Sequence, residues 1–557
     1  MSRGVAAQVA LAGGVLTLYL LSFSSVPTSD GYWILSNIDR ADYASMLVAQ
    51  YPLTSYTFFS LKRLLAVLGI SAPTLSLIQT GNAAISACAA LLLFAVIRVV
   101  GGSVTLAALG GALLPIAYGY WYFANGEMHH LSSVLLILIF FLILRARLRG
   151  GPDGHGFVMM LGLLNALAIL LRQENFLFGF TAVAMLLVGR PWRQGVKQAL
   201  AYGAAGSLAT AVLAVGVGVV LRGTSSVQEF VRWYFWIIPH AEHPQQYQLG
   251  APPLVLLRVI KGQLTALIFG THVVGDAVRH IALLRSPKVA MLVALTCVAF
   301  ALMAFLLGYL WRARQAISGR LLIPLVGCLV WLFSYKAFLH AWFWPTAPEY
   351  HIVTLAPLLL LLLLGPAAVL AEPRPPPAHR VLPAGAVGVL LLVVLTVNFW
   401  GGILPWYRYG LAKEIISRHL DTAVRSDDLF ISFESGLDNI IKGRAHFLGL
   451  KGLFDREGRQ TGFGMVREAI QAQLEQGGRV FAYNLLPAPY TLQTLNVHLR
   501  NPRVARYRAE EFEAFVEELG RRYELQEVLR YWEEAQEPLY LFGLRLQPLW
   551  EVRRRKA

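Results

Sequence analysis

Long apolar runs separated by short polar connections fill the first 403 residues of the chain. A helix of about 20 apolar residues crosses the hydrocarbon core of a bilayer. Most of the runs reach or approach that length, and they cover residues 4–24, 76–98, 102–122, 127–145, 156–172, 174–188, 196–221, 288–311, 321–340, 350–371 and 381–403. The pattern predicts an α-helical polytopic membrane protein with about 11 transmembrane helices.

Residues 252–285 interrupt this pattern, because charged side chains recur there among apolar residues at helical spacing. We expect amphipathic helices that lie at the membrane interface. Two passes through the bilayer would preserve the same topology, so that alternative stays open.

The pattern changes again at Leu404, where turns, short apolar strands and charged helices begin to alternate. Such alternation predicts a small α/β domain over residues 404–557, after a transmembrane domain over residues 1–403. The expected elements are helices over 413–424, 465–476 and 510–523, and strands over 429–433, 479–483 and 539–544. A nucleotide site is not expected, because the domain has no Gly-rich phosphate loop.

Composition supports the division into two parts. Of the 557 residues, 56% are hydrophobic and 14% are charged, whereas a soluble domain is about 25% charged. A soluble enzyme, a disordered chain and a disulfide scaffold are therefore excluded. The net charge is +16, of which residues 404–557 supply 23 − 21 = +2 and the first 403 residues 25 − 11 = +14.

Basic residues predict the orientation, because they concentrate in cytoplasmic loops. Five groups of basic residues fall on the cytoplasmic side of the membrane if the N-terminus is cytoplasmic. This topology also requires that the first apolar run is a span rather than a cleaved signal peptide. These groups are Arg98; Arg145, Arg147 and Arg149; Arg190, Arg193 and Lys197; Arg312, Arg314 and Arg320; and Arg374 and Arg380. The C-terminal domain is then extracytoplasmic, and the Ala-, Gly- and Arg-rich composition favours a bacterial inner membrane over an endoplasmic reticulum.

Nine of the eleven acidic residues in the first 403 residues lie on the outer side in this topology. Acidic residues close to the membrane are costly and usually mark a site. They share the ends of the runs with histidines and cations: Asp30 and Asp39 in the first outer loop, Glu127 and His130 in a short hairpin, Arg172 and Glu174 in another, and Lys336, His340, Glu349, Tyr350 and His351 around a late loop. The pattern predicts an outward-facing polar cavity.

A metal site formed by Glu127, His129 and His130 is not the favoured interpretation. The spacing does not match a zinc motif, and adjacent histidines point to different faces of a helix. Hydrogen bonding is the expected role of these side chains, although a divalent cation elsewhere in the site stays open.

The layout resembles the GT-C superfamily of membrane glycosyltransferases, close to the protein O-mannosyltransferase and aminoarabinose-transferase type. Residues 118–147 are similar to the third and fourth spans of that family, where an acid in a short hairpin opens the fourth helix. Residues 349–371 are similar to a late span with a charged or aromatic outer end. Asp30 is a single acid where many members carry an acidic pair. The His-Pro-Pro-like chain break of some members is represented here only by Tyr51-Pro52.

This resemblance implies transfer of a sugar from a polyprenyl-phosphate donor to a hydroxyl of a lipid, glycan or protein acceptor, with inversion at the anomeric carbon. The reaction needs a carboxylate that takes the acceptor proton and cations that hold the phosphate. Asp30 is the expected base, with Asp39 or Asp42 as alternatives. The expected phosphate ligands are Arg172, Lys336, His340 and His351, with Arg232, Arg258 and Lys261 in reserve, and the expected substrate contacts are Glu127, His130, Glu174, Glu349 and Tyr350.

Two other functional classes remain. A transporter or lipid flippase would also suit an outward-facing polar cavity, but it should show broken helices or internal repeats with polar residues near the bilayer midplane. No repeat is evident, and the acids crowd one surface instead. A non-catalytic membrane scaffold would not need an acid at Asp30. Membrane lipids are expected partners, whereas nucleic acid is not, because the positive charge marks the inner loops.

Overall fold

The chain divides into two units in the computed structural model. One unit contains Met1–Phe23 and Pro27–Ile403, and the other contains Ser24–Val26 and Leu404–Ala557. The structure describes residues 2–25, 27, 31–47, 52–127, 129–234, 252–279, 281–313, 319–342, 348–370, 377–408, 410, 420, 424–433, 446–450, 453–454, 459–486, 507–534 and 544–555.

Helices form the described part of the first unit. Their bounds are α1 Arg3–Ser22, α2 Gly31–Arg40, α3 Tyr43–Met46, α4 Thr54–Val67, α5 Thr74–Val100, α6 Val104–Ile116, α7 Tyr118–Phe123, α8 His130–Arg149, α9 His155–Leu171, α10 Phe178–Leu187, α11 Trp192–Gly216, α12 Val227–Tyr234, α13 Pro252–Leu267, α14 Gly270–Arg279, α15 Pro287–Ala313, α16 Gly319–Trp342, α17 Leu355–Leu370 and α18 Pro377–Asn398. Two 3₁₀ turns, Gln173–Leu177 and Pro348–Thr354, precede α10 and α17.

Within the described residues, eight helices are long and apolar enough to cross a membrane, and α6 and α9 are shorter apolar helices. The protein is therefore an integral membrane protein of the predicted α-helical polytopic class. The predicted count of about eleven spans is not reproduced, because three of the apolar runs contain breaks or are short. The run over 174–188, for example, divides into a 3₁₀ turn and the ten-residue α10.

The break between α6 and α7 explains one of the short helices. Pro115 lies in the last turn of α6 and has no backbone N–H to donate, and Ala117 leaves the helical conformation with ψ 137°. The Tyr19 hydroxyl of α1 donates a hydrogen bond to the Pro115 carbonyl oxygen at 2.7 Å. The chain then restarts as α7 and enters the connection that carries Glu127.

Helices α9 and α11 cross closely at Gly162 and Gly206. A Cβ atom placed on Gly162 would lie 2.5 Å from the Tyr202 carbonyl oxygen, and one on Gly206 would lie 3.2 Å from the Gly162 carbonyl oxygen. Small residues allow membrane helices to approach this closely. The crossing therefore packs the middle of α9 tightly against α11, and Arg172 follows the last residue of α9.

Helices α13 and α14 occupy most of the ambiguous stretch 252–285, in which helices were predicted. Val255, Val259 and Ala266 are buried on one face of α13, whereas Leu256 and Leu257 are exposed. The location of these two helices at the membrane interface stays a prediction.

The second unit contains a five-stranded mixed sheet of order β2-β1-β3-β5-β4. The strands are β1 Leu429–Ser432, β2 His446–Gly449, β3 Val480–Tyr483, β4 Tyr523–Glu534 and β5 Leu544–Arg554, accompanied by helices α19 Arg459–Glu475 and α20 Ala509–Arg522. Strand β1 pairs in parallel with β2 and β3, and β5 pairs antiparallel with β3 and β4. Ile431, Val466, Ile470, Phe512 and Phe515 belong to the core of this unit.

The α/β character of this part of the chain thus agrees with the sequence prediction. Strands β2 and β4 were not predicted, and only Leu544 of β5 falls within a predicted strand. Most of the predicted helix 413–424, and residues 539–543 of the last predicted strand, lie outside the described residues.

Candidate active site

The connection between α7 and α8 carries the first acid of the site. Asn82 of α5 donates from Nδ2 to the carbonyl oxygens of Ala124 at 3.1 Å and Glu127 at 2.6 Å. Two hydrogen bonds from one buried amide fix the path of this connection. The Glu127 side chain is only 3% exposed, and its Oε2 lies 2.8 Å from His129 Nε2.

His129 and His130 have separate environments, as expected for adjacent histidines. His130 begins α8, and its Nε2–H donates to the Tyr120 carbonyl oxygen at 2.6 Å, with its ring packed edge-on against the Tyr120 ring. His129 precedes the helix and lies between side chains instead. Burial and the nearby Arg172 guanidinium hold the pKa of His129 well below its usual value of 6.5, because both disfavour the charged imidazolium.

Arg172 is the central cation of the site. It follows α9 in an extended conformation, φ −160° and ψ 113°, and is 1% exposed. Its Nη1 lies 2.7 Å from His129 Nδ1, and its Nε forms an ion pair with Glu174. Residues from two hairpins, 43 positions apart, are thereby joined in one network.

The turn Pro348–Thr354 brings a third segment to this network. The Glu349 carbonyl oxygen lies 3.5 Å from Arg172 Nη1, and the Tyr350 ring centroid lies 5.4 Å from Arg172 Cζ. A guanidinium at that distance from an aromatic ring gains cation–π stabilisation.

The same turn contacts a second cation, Lys336 of α16. Lys336 Nζ contacts His351 Nδ1 and donates to Thr354 Oγ1 at 3.0 Å. The Thr354 hydroxyl donates to Gln263 Oε1 of α13 at 2.6 Å. Arg172 and Lys336 therefore contact the two halves of one short segment.

The two predicted bases differ in what the structure describes. Asp30 lies outside the described residues, but its neighbour Gly31 packs against the backbone of Gly126, where an added Cβ atom would lie 3.2 Å from the Gly126 Cα. Asp39 is 55% exposed; its carboxylate is 2.6 Å from Lys62 Nζ and also accepts a hydrogen bond from the Thr74 hydroxyl. Asp42 caps α3 through Ser45.

The remaining predicted ligands lie on α12, α13 and α16. His340 lies within α16, and its side chain is outside the described part. Arg232 on α12 and Arg258 on α13 are exposed. Lys261 on α13 approaches Gly275 of α14.

A groove of about 1070 Å³ lies beside the network, between α9, α10, α11, α12 and α16. Its walls are mostly apolar, with Ile169, Phe180 and Phe338 among them, and Gln173 and Glu174 also line it. These two residues directly follow Arg172. The groove therefore offers space for a hydrocarbon chain beside a buried cation.

Among the described residues, no group of three or more histidine, cysteine, aspartate or glutamate side chains is arranged to hold a metal ion. His129 lies between two charged side chains, although no sequence pattern favours it over His130. Asn82 and Gln263 were also missed. Each is a buried amide in a largely apolar helix, and isolated polar residues of this kind are a usable signal.

Solved structures provide the comparison for this arrangement. ArnT from Cupriavidus metallidurans bound to undecaprenyl phosphate is 14% identical, with 98% of this chain and 97% of that chain covered and a TM-score of 0.52. The apo state of the same protein is 13% identical, with the same coverage and a TM-score of 0.48. An oligosaccharyltransferase from Archaeoglobus fulgidus, in complex with Zn and sulfate, is 11% identical, with 97% of this chain and 72% of that chain covered and a TM-score of 0.48.

No family model and no curated protein matches the sequence. At 14% identity, the likeness to ArnT establishes the fold. ArnT is an aminoarabinose transferase and a GT-C glycosyltransferase. The GT-C-like fold that the sequence resemblance predicted is therefore confirmed.

Proposed function

We propose that this protein is a glycosyltransferase that moves a sugar from a polyprenyl-phosphate donor to the hydroxyl of a lipid, glycan or protein acceptor. The observation that carries the proposal is the mostly apolar groove that is lined in part by Gln173 and Glu174, the two residues that directly follow the buried Arg172. An anionic head with a long hydrocarbon tail matches both parts of this arrangement. The ArnT structure of the same fold is bound to undecaprenyl phosphate, which supports this choice of ligand.

In the proposed reaction, Arg172 and Lys336 hold the donor phosphate and stabilise its charge as the bond to the sugar breaks. Both side chains are buried or half-buried, and charge stabilisation is strongest where water is excluded. Glu127, Glu174, Glu349, His130 and Tyr350 are the proposed substrate contacts, and His351 positions Lys336. His130 is the weakest of these candidates, because it is buried and its Nε2–H donates to the Tyr120 carbonyl oxygen. His340 stays a candidate ligand at the end of α16.

Asp30 is the proposed base. Its chain neighbour Gly31 contacts Gly126, in the hairpin that carries Glu127, and this contact supports the choice. Asp39 is the weaker candidate, because its carboxylate is engaged by Lys62 and Thr74. Attack by the acceptor oxygen in line with the departing phosphate would invert the anomeric carbon.

The proposed setting is the outer face of a bacterial inner membrane, with the N-terminus in the cytoplasm and the second unit in the periplasm. The positively charged groups that begin at Arg98 support this orientation. The donor chain would enter from the bilayer, and the acceptor would approach from outside.

The first test measures transfer of radiolabelled sugar from polyprenyl phosphate by the purified full-length protein in lipid nanodiscs. Asp30→Asn should abolish transfer without weakening donor binding, whereas Asp39→Asn should retain most of the activity. Full turnover by Asp30→Asn would remove Asp30 as the base. A wild-type protein that transfers no sugar from any polyprenyl phosphate, but moves a solute across vesicles, would be a transporter instead.

The second test addresses the groove. A Cβ atom on Gly203 meets nothing within 4 Å, so Gly203→Leu should fill part of the groove without disturbing helix packing. Gly13→Leu on α1, another open position, is the matched control. Displacing a few methylenes at ~0.8 kcal/mol each should raise the KM of a long-chain donor about tenfold or more. A donor with a short, water-soluble chain should be unaffected, and equal effects on both donors would argue against the groove.

A further inference from the structure

We propose that His129 is a positioning residue that connects Glu127 to Arg172 and fixes the guanidinium in the orientation that receives the donor phosphate. The inference rests on the proposed function, but it concerns a side chain for which that function requires no role. It follows from the hydrogen-bonding chemistry of the two contacts made by the imidazole.

The contact with Arg172 determines the tautomer of His129. A guanidinium has N–H donors and no acceptor, so His129 Nδ1, at 2.7 Å from Arg172 Nη1, must be unprotonated and accept. The proton of the neutral ring is then on Nε2. That N–H donates to Glu127 Oε2 at 2.8 Å, so both ring nitrogens are used in the orientation that their chemistry requires.

The partners of the ring distinguish it from an ordinary buried histidine. His130 satisfies Nε2 with a backbone carbonyl oxygen, which would serve any core histidine. Both nitrogens of His129 instead meet charged side chains, and these come from two different hairpins. The ring is 13% exposed and packs edge-on against Phe123, at a centroid distance of 6.3 Å, so it has little freedom to turn.

The geometric consequence falls on Arg172. Glu174 holds Nε, and His129 and the Glu349 carbonyl oxygen hold Nη1. Acceptors at two of its nitrogens fix the plane of the guanidinium. A phosphate then binds a cation that is already oriented, and less ordering is required when it binds.

Two substitutions separate the two contacts. In His129→Asn, the side-chain oxygen can take the place of Nδ1 and still accept from Arg172. In His129→Gln, the longer amide can take the place of Nε2 and still donate to Glu127. His129→Ala removes both contacts, and His155→Ala, at the exposed start of α9, is the matched control.

Binding of undecaprenyl phosphate alone, measured on each variant in nanodiscs, is the first readout. His129→Ala and His129→Gln should weaken binding about tenfold or more, as expected for loss of a charge-assisted hydrogen bond that orients the cation. His129→Asn and His155→Ala should stay within about threefold of wild type. If His129→Gln and His129→Ala bind as wild type does, the positioning role is wrong, even if the variants are less stable.

Nitrogen-15 NMR of histidine-labelled protein in bilayers is the second readout, and it needs no substrate. It should show a neutral imidazole protonated at Nε2 that disappears in His129→Ala. A ring protonated at Nδ1 would overturn the proposal. A wild type that binds undecaprenyl phosphate but transfers no sugar would overturn only the proposed function, whereas one that does not bind it would overturn both.

Discussion

The hydroxyl group of Tyr335 donates a hydrogen bond to Asn175 Oδ1 at 2.9 Å, and both side chains are buried. Asn175 Nδ2 donates in turn to the Ala168 carbonyl oxygen of α9 at 2.8 Å. Tyr335 is the neighbour of Lys336, and Asn175 belongs to the turn that follows Arg172. This contact therefore connects the helix that carries Lys336 to the turn that follows Arg172.

Tyr335→Phe tests this connection. The substitution leaves Asn175 Oδ1 buried without its partner, which should cost about 1–3 kcal/mol of stability. We expect a lower Tm in a thermal unfolding assay and a higher KM for the donor. Tyr43→Phe, at a side chain that is 44% exposed, should change neither quantity. An unchanged KM with a lower Tm would limit the contact to a structural role.

Arg172→Lys tests the need for a guanidinium rather than a positive charge. An ammonium group cannot reproduce the fixed fork that contacts His129, Glu174 and Glu349 together. We expect at least about a tenfold loss of donor binding, from loss of one charge-assisted hydrogen bond. Arg63→Lys on the exposed part of α4 is the control. Wild-type binding by Arg172→Lys would mean that only charge matters at this position.

The depressed pKa of His129 makes stability depend on pH. The unfolded chain binds a proton on this histidine near pH 6.5, whereas the folded protein does so only at a lower pH. Stability should therefore fall as the pH drops below 6.5 towards the folded pKa. Denaturation midpoints between pH 8 and pH 5 should decline less steeply in His129→Asn than in wild type. Parallel profiles would show that other groups cause the acid sensitivity.

The groups that face the ring decide the size of this effect. Glu127 favours the protonated ring, as does Glu174, whereas Arg172 and burial oppose protonation. A bound phosphate would neutralise the charge of Arg172. One of the two influences that oppose protonation of His129 would then be removed. Undecaprenyl phosphate should consequently make the decline with pH shallower, which can be measured on the same samples.

Gly162→Ala tests the crossing of α9 and α11. The new methyl group would lie 2.5 Å from the Tyr202 carbonyl oxygen, so one of the two helices must move. We expect a cost of about 1–3 kcal/mol from overpacking, seen as a lower Tm. Gly13→Ala on α1, where a Cβ atom meets nothing within 4 Å, should be neutral or slightly stabilising. Equal Tm values for the two variants would argue against a tight crossing.

Much of this architecture could be predicted from residue patterns. Long apolar runs identified the spans, because the bilayer requires a minimum length of apolar helix. Lys336 and His351 were both expected at the phosphate site, and they are in contact. Arg172 and Glu174 were chosen for their position at a hairpin tip, and they form an ion pair.

The choice between His129 and His130 could not be made in the same way. It depends on where α8 begins, since the first residue of the helix turns back towards Tyr120 and the residue before it does not. Strand β4 was missed for another reason. It carries four glutamates in 12 residues, and its antiparallel pairing with β5, rather than its composition, stabilises it.

The turn Pro348–Thr354 limits how the candidate phosphate ligands can respond to substitution. Its first half contacts Arg172 through Glu349 and Tyr350, and its second half contacts Lys336 through His351 and Thr354. A displacement of this segment at either end would be transmitted to the other cation. In a double-mutant cycle, the free-energy changes of substitutions at Arg172 and Lys336 should therefore not be additive.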